Sequence, residues 1–307
     1  MNYTLHQLRI YLKVTQTLSV TKAANELHLT QPAVSMQLKK FQEQFTIPLL
    51  EMVNKKIFVT EFGKEIARAA EVILAEVHGI QYKLHQHRGL LTGRLRISVV
   101  STGKYIAPYF LSGFMKQHEG VELMLDVTNK ARVIESLEKN EVDFALVSVI
   151  PEHLKIEKVE LMQNKLFLVG NREQLFPKKE YATKLLQTIP IIYREEGSGT
   201  RYVMERFFRR NRLAVTKKME LTSNEAVKQA VIAGLGYSVM PLIGLKNELN
   251  EGQLQIVPVK GLPMRSTWNL IWLKEKQALP VAAAYLAYLK KEKANIIRDQ
   301  FEWCEQY

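Results

Sequence analysis

Ile66, Ala70, Ile73, Val77, Ile80 and Leu84 follow one another at spacings of +4, +3, +4, +3 and +4. Such an a/d stripe is the seam of a helix that packs along a partner helix. The segment from Phe62 to Gly89 is about 28 residues, a rod of roughly 42 Å at 1.5 Å per residue. A sixty-residue domain cannot cover that length. The stripe therefore meets the same helix of a second subunit, or it lies as a core helix against the rest of its own chain. Gly79 weakens such a helix by about 1 kcal/mol relative to Ala, and nothing in the sequence accounts for it. The rod also divides the 307 residues into about 60 before it and about 200 after it, consistent with two or three domains.

Charge is shared unevenly among these parts. The net charge is +12, from 43 Lys and Arg against 31 Asp and Glu, which points to a polyanionic partner without identifying a fold. Residues 1–60 carry seven basic and three acidic side chains, residues 61–93 four of each, and residues 94–307 carry 32 and 24. The densest basic stretch is Arg201 to Lys218, with seven basic residues and one Glu. One cysteine, Cys304, excludes an intramolecular disulfide and a cysteine-rich metal site. The first residues alternate apolar and polar, with no signal-peptide core, and no run of about 18 apolar residues suggests a spanning helix. The expectation is a cytoplasmic protein with no membrane partner.

The first sixty residues read as three short helices. Leu5 to Thr17 is amphipathic. Ser19 is placed to cap a second helix that carries Val20, Ala23, Ala24 and Leu27 on one side. His28-Leu29 turns the chain, Thr30 can cap a third helix, and Pro32 lies in its first turn. That helix buries Val34, Leu38, Phe41 and Phe45 and leaves Gln31, Ala33, Ser35, Met36, Gln37, Lys39 and Lys40 outside. Small residues at the helix crossing and a tight turn make a helix-turn-helix, with short polar side chains for base edges and lysines for phosphates. Asn54-Lys55-Lys56 then leads into the strand Ile57–Thr60 as a basic wing. The alternative is a small three-helix bundle with a solvated basic face.

The run Ala23-Ala24-Asn25-Glu26-Leu27-His28-Leu29-Thr30-Gln31-Pro32-Ala33-Val34-Ser35 resembles the winged helix-turn-helix of LysR-type transcriptional regulators. The resemblance implies that Thr30, Gln31, Pro32, Ala33, Ser35 and Gln37 approach the major groove, with Lys55 and Lys56 at the wing; Lys39 is assigned to phosphates from its own chemistry. Met52 departs from the pattern, because the family often has Arg after the residues matching Leu49-Leu50-Glu51. In the family the long helix is the dimerisation helix, which assigns Ile66, Ala70, Ile73, Val77, Ile80 and Leu84 to a subunit interface. Two-fold pairing presents two reading helices to a pseudo-palindromic site.

After a hinge at residues 89–93, short apolar strands alternate with amphipathic helices. The first series is Arg94–Val100, Tyr105–His118, Val121–Val127, Ala131–Lys139 and Val142–Val149. The second is Ile189–Tyr193, Arg201–Arg210, Lys218–Leu221, Asn224–Ala233, Tyr237–Met240 and Leu242–Leu249, and the chain returns through Thr267–Leu273 and Pro280–Lys293. The alternation predicts parallel sheets covered on both faces, arranged as two lobes joined by two crossings with a cleft between. Ser101-Thr102-Gly103-Lys104, Glu196-Gly197-Ser198-Gly199-Thr200-Arg201 and Thr222-Ser223-Asn224-Glu225 each lead into a helix start. Ligands bind beyond the carboxyl ends of such strands, and free helix N–H groups with hydroxyls, Lys104 and Arg201 suit an anion. Read singly, each loop is equally an ordinary cap or turn. The lobes resemble the periplasmic-binding-protein-like effector domain of the same family. Val99 to Tyr105, Glu196 to Arg201 and Ser223 to Val231 resemble its RuBisCO-operon regulator branch, which is associated with phosphorylated or nucleotide metabolites.

The predicted fold class is α+β multidomain: a winged helix-turn-helix over 1–61, a linker and dimerisation helix with hinge over 62–93, and two α/β lobes over 94–293. Lobe I takes 94–166 and 267–293, lobe II takes 167–266, and the role of the tail 294–307 is unassigned. The effector set is Ser101, Thr102, Lys104, Gly197, Ser198, Gly199, Thr200, Arg201, Asn224 and Glu225. The partners expected are double-stranded DNA, a small anionic metabolite, and self as a dimer or a tetramer built from two dimers, with RNA polymerase as a further contact. No phosphate loop, dinucleotide fingerprint, Gly-x-Ser-x-Gly elbow or His-Glu-x-x-His occurs, so no catalytic residue, metal or cofactor is expected. An enzyme acting on a phosphorylated metabolite is the competing class; a transport receptor is disfavoured by the missing signal peptide. Cys304, near Phe301 and Trp303, reads as a packed or idle thiol.

Overall fold

The computed structural model describes residues 2–53, 56–86, 91–276 and 278–307, and its contacts divide it into two units, 1–91 and 92–307. Lys55, the hinge residues Gly89 and Leu90, and the side chains of Gly79, Ile80 and Leu84 lie outside the described residues.

The first unit holds α1 (Leu5–Thr17), α2 (Val20–Leu27), α3 (Gln31–Gln42), the antiparallel hairpin β1 (Leu50–Val53) and β2 (Lys56–Val59), and α4 (Glu61–Gln86). Local chemistry sets the breaks. Thr4 and Gln7 form a reciprocal capping box at the start of α1. Leu18 turns left-handed at its end, and Ser19 then caps α2 through the Lys22 N–H. His28, also left-handed, closes α2. Tyr11, Val14, Ala23, Ala24, Val34, Phe41 and Leu49 are fully or almost fully buried together. Phe45 lies beyond the end of α3 and packs only partly, against Phe41 and Tyr3.

The stripe on α4 does not act as one surface. Ala70 and Leu74 belong to the helix-turn-helix core, and Ile66 packs against it, whereas Ile73 is 38% exposed and Val77 is half-buried. Ala70, fully buried within its own unit, is therefore corrected from a subunit-interface residue to a core residue. α4 packs against α1, so part of it has an intramolecular partner that a spacing argument cannot see. Gly63 shows how close the approach is. A Cβ there would lie 2.1 Å from the Leu49 carbonyl oxygen, and the Tyr11 hydroxyl donates 2.8 Å to the Gly63 carbonyl.

The second unit runs β3 (Gly93–Val100), α5 (Ala107–Gln117), β4 (Val121–Thr128), α6 (Lys130–Glu138), β5 (Phe144–Val147), β6 (Ile156–Asn171), β7 (Ile191–Arg194), α7 (Gly199–Arg210), β8 (Lys217–Leu221), α8 (Asn224–Ile232), β9 (Ser238–Pro241), α9 (Lys246–Asn250), β10 (Leu254–Ile256), β11 (Met264–Leu273) and α10 (Pro280–Phe301). Short 3₁₀ turns precede α5 and α9. The main sheet has the order β10-β6-β11-β5-β3-β4 with β9 also on β6, and β7 pairs with β8. β4, β3 and β5 run parallel, as do β7 and β8, but β6 and β11 are antiparallel to each other and to their neighbours. The expectation of purely parallel sheets is thus corrected to a mixed sheet. β6 and β11 are the two crossings: Ile156 to Leu166 pairs with β11, and Leu166 to Asn171 continues onto β9 and β10. β6 is absent from the sequence reading because its first half carries Glu157, Lys158 and Glu160, which break the apolar pattern of a core strand.

The tail, unassigned from the sequence, is built into the fold. α10 continues past Lys293 to Phe301, and a 3₁₀ turn spans Glu302–Gln306. Phe301 stacks on Phe110 and meets Tyr109 edge-on, both of α5. Cys304 joins a buried cluster with Phe167, Val227 and Met240. Lys165, only 5% exposed, donates to the Cys304 and Tyr307 carbonyl oxygens (2.9 and 3.1 Å) and to Glu305 (3.2 Å). The segment spans α5 of the first lobe and the core of the second.

Candidate functional sites: a reading helix and an interlobe seam

α3 is anchored by Val34, Leu38 and Phe41, which face the core. Thr30, Gln31, Pro32, Lys39, Lys40 and Lys56 are exposed, and Ala33, Ser35 and Gln37 are half-buried. Thr30 occupies the cap position without a side-chain capping bond. Gln31 donates its amide to the Ser35 hydroxyl at 3.0 Å, and the Gln37 amide oxygen accepts from Gln7 at 3.2 Å. Gln37 is thereby tied to α1, which fixes the pitch of α3 on the bundle. Met52 stands exposed where the family often places Arg.

In the second unit the predicted loops converge where the lobes meet. Ser101, Thr102 and Lys104 follow the C-terminal end of β3. Ser198 caps α7 through the Arg201 N–H, and Ser223 caps α8 through the Ala226 N–H. Gly197 has φ +81°, a backbone that side chains rarely adopt, and a Cβ there would press on the Ala131 Cβ at 3.2 Å. This draws the turn before α7 against the start of α6. The Tyr105 hydroxyl accepts from Asn224 and donates to Glu225, both at 3.3 Å, so the first lobe is stitched to α8. Burial raises the Tyr105 pKa. At Glu225 burial pushes up, but bonds from Lys228 and Gln229 outweigh it and the carboxyl is held low. Lys104 lies 5.0 Å over the Tyr105 ring.

Arg201 is placed differently from expectation. Its guanidinium meets Glu205 (2.7 Å), Glu220 (2.9 Å), Glu196 (3.7 Å) and the Arg194 carbonyl (3.1 Å). Three carboxylates surround it, so it ties α7 to β8 as well as lining the cleft beside the seam. Thr200 is buried on the first turn of α7.

Arg194, at the carboxyl end of β7, is the residue the sequence reading missed. It is 3% exposed. Nε and Nη2 pair with Glu195 at 2.7 and 2.8 Å, Nη2 also donates to Ser101 across the seam at 3.0 Å, and Nη1 has no partner. The available signal was a charged residue closing the apolar strand Ile191-Ile192-Tyr193. Beside the seam a cleft of about 1540 Å³ is lined by Lys130, Ser148, Gly197, Ser198, Thr267 and Asn269 among others. Lys130 lies 5.0 Å over the Tyr202 ring of α7.

Comparison with known proteins agrees with this division. Residues 5–64 match the family model of the bacterial regulatory helix-turn-helix protein, lysR family, and residues 88–294 match the LysR substrate binding domain. The chain is 37% identical over 289 residues to the HTH-type transcriptional activator CmpR of Synechocystis, covering 94% of this chain and 95% of that protein. It is 36% identical over 297 residues to the RuBisCO operon transcriptional regulator of Allochromatium vinosum, covering 96% and 98%. The solved regulatory domain of Synechocystis CcmR in complex with 2-PG is similar at 33% identity and TM-score 0.64, over 66% of this chain and 99% of that one.

Proposed function

Because the chain belongs to the LysR family of transcriptional regulators, we propose that it binds interrupted inverted repeats at promoters and answers to a small anionic metabolite held between the lobes. The named relatives are regulators rather than enzymes, and so is this chain. The reading places it in the cytoplasm, with RNA polymerase as a further contact. Among the described residues no helix is long and apolar enough to cross a membrane.

The observation that carries the effector reading is Arg194. A charged side chain this buried with one free nitrogen has a donor to offer, and an unpartnered buried donor costs about 1–3 kcal/mol. An anion at the seam would take up Nη1 and draw on the hydroxyls of Ser101 and Thr102. The relative bound to 2-PG supports an anion of that kind. The effector acts by binding two lobe arrangements unequally, and the two arrangements set how paired subunits hold the DNA.

Thermal shift tests this. With 2-PG at 100 times its dissociation constant the apparent stability rises by about 2.7 kcal/mol, and Ser101→Ala lowers that response. If 2-PG, sugar phosphates, nicotinamide nucleotides and organic acids all leave Tm unchanged, the anionic-effector reading fails. For the DNA side, fluorescence anisotropy at fixed salt is expected to show weaker binding for Ser35→Ala and Lys39→Ala. The Lys39 variant is also expected to have a shallower salt dependence, since a lysine at a phosphate releases a counterion.

A further inference from the structure

The side chain on α3 that points directly away from the core is neither polar nor basic. Each helical residue turns the chain by about 100°, so Met36, two residues from both Val34 and Leu38, points away from the core that they fill. It is 51% exposed. Pro32, one turn earlier on the same side, is also exposed and has no N–H to donate. Lys39 and Lys40 flank this ridge with charge. The polar candidates sit to its sides. Gln31 and Ser35 bond to each other, and the amide oxygen of Gln37 is occupied by Gln7. The centre of the reading face is thus an apolar ridge between two cations.

We propose that Met36 is a specificity-determining residue that reads thymine through its C5-methyl group. This rests on the reading that α3 enters the major groove. Methionine has no donor and only a weak acceptor, so it cannot discriminate bases by hydrogen bonding. The major groove carries one apolar group, the thymine methyl. A flexible thioether stem between two phosphate-seeking lysines is brought to the groove floor when the lysines meet the backbone on either side, and the contact removes a methyl group from water.

The test uses the full chain and a duplex chosen by in vitro selection from a randomised pool. Each thymine of the selected site is replaced in turn by deoxyuridine, which removes the methyl and keeps every hydrogen-bonding group. At one or two positions the affinity is expected to fall about fourfold, the worth of one methyl-sized group. Met36→Ala is expected to bind more weakly and to be indifferent to deoxyuridine at those positions, while Met36→Leu retains the sensitivity. If no deoxyuridine substitution matters while Ser35→Ala and Lys39→Ala still weaken binding, the Met36 assignment is overturned and the reading helix stands. If those two variants also bind like the parent, the assignment of α3 to the groove falls with it.

Discussion

Arg201 and Arg194 lie seven residues apart and use the same chemistry to opposite ends. Arg201 satisfies its donors locally, with carboxylates from its own helix and from β8. Its bond to Glu205 is the main reason its pKa is raised. Arg201→Met should therefore lower the Tm of the effector domain by several degrees without changing affinity for any anionic probe, which calorimetry with and without 2-PG would show. Arg194 keeps one nitrogen free, so Arg194→Lys, which loses the planar fork, is expected to lose the anion response measured by thermal shift. Sequence made Arg201 the better candidate because it follows a glycine-rich loop. Glu205, one helical turn on, was within reach of the sequence; Glu220 was not, since it comes from β8.

At the scale of elements, α4 presents both a covered and an open surface. Ile66, Ala70 and Leu74 complete the core of the helix-turn-helix, and Ile73, on another face, is open. Two substitutions separate the roles. Ala70→Leu overfills a fully buried position and should destabilise the first unit by about 1–3 kcal/mol, read by urea unfolding. Ile73→Asp should leave that stability nearly intact and shift the sedimentation profile toward monomer, if the open part of the helix pairs subunits. The periodicity of the rod was legible because a 3.5-residue repeat is a local property. Which turns face α1 was not, because that depends on Tyr11 and Leu49 meeting Gly63 at contact distance.

For the whole effector domain, residues 301–307 add a third connection to the two crossing strands. The ring of Phe301 is held by α5, and the following turn is held by Lys165 and the cluster around Cys304. As the chain's one cysteine, Cys304 reports on this connection. Burial pushes its thiol pKa up to about 11, so its modification by a thiol reagent should be slow near neutral pH and still be rising at pH 10. The neutral thiol is favoured in the folded state. Its contribution to stability is therefore complete below the ordinary thiol pKa near 9 and is lost as pH climbs through 11. Lys165→Met removes the anchor and should speed the reaction at least tenfold, and an unchanged rate would show that the turn is held by packing alone.

The sequence by itself determined the helix-turn-helix, the rod and the alternation of strands and helices, because caps, periodicity and turn residues act over a few positions. It also located the three loops that end at the seam. The tertiary structure decided which side chains remain available there. Arg201 is ringed by carboxylates, Gln37 is tied to α1, Ala70 is covered by its own domain, and Arg194 holds an unused donor. The contacts of Arg201 with Glu220, of Gln37 with Gln7 and of Arg194 with Ser101 join groups distant in sequence, and no local pattern records them.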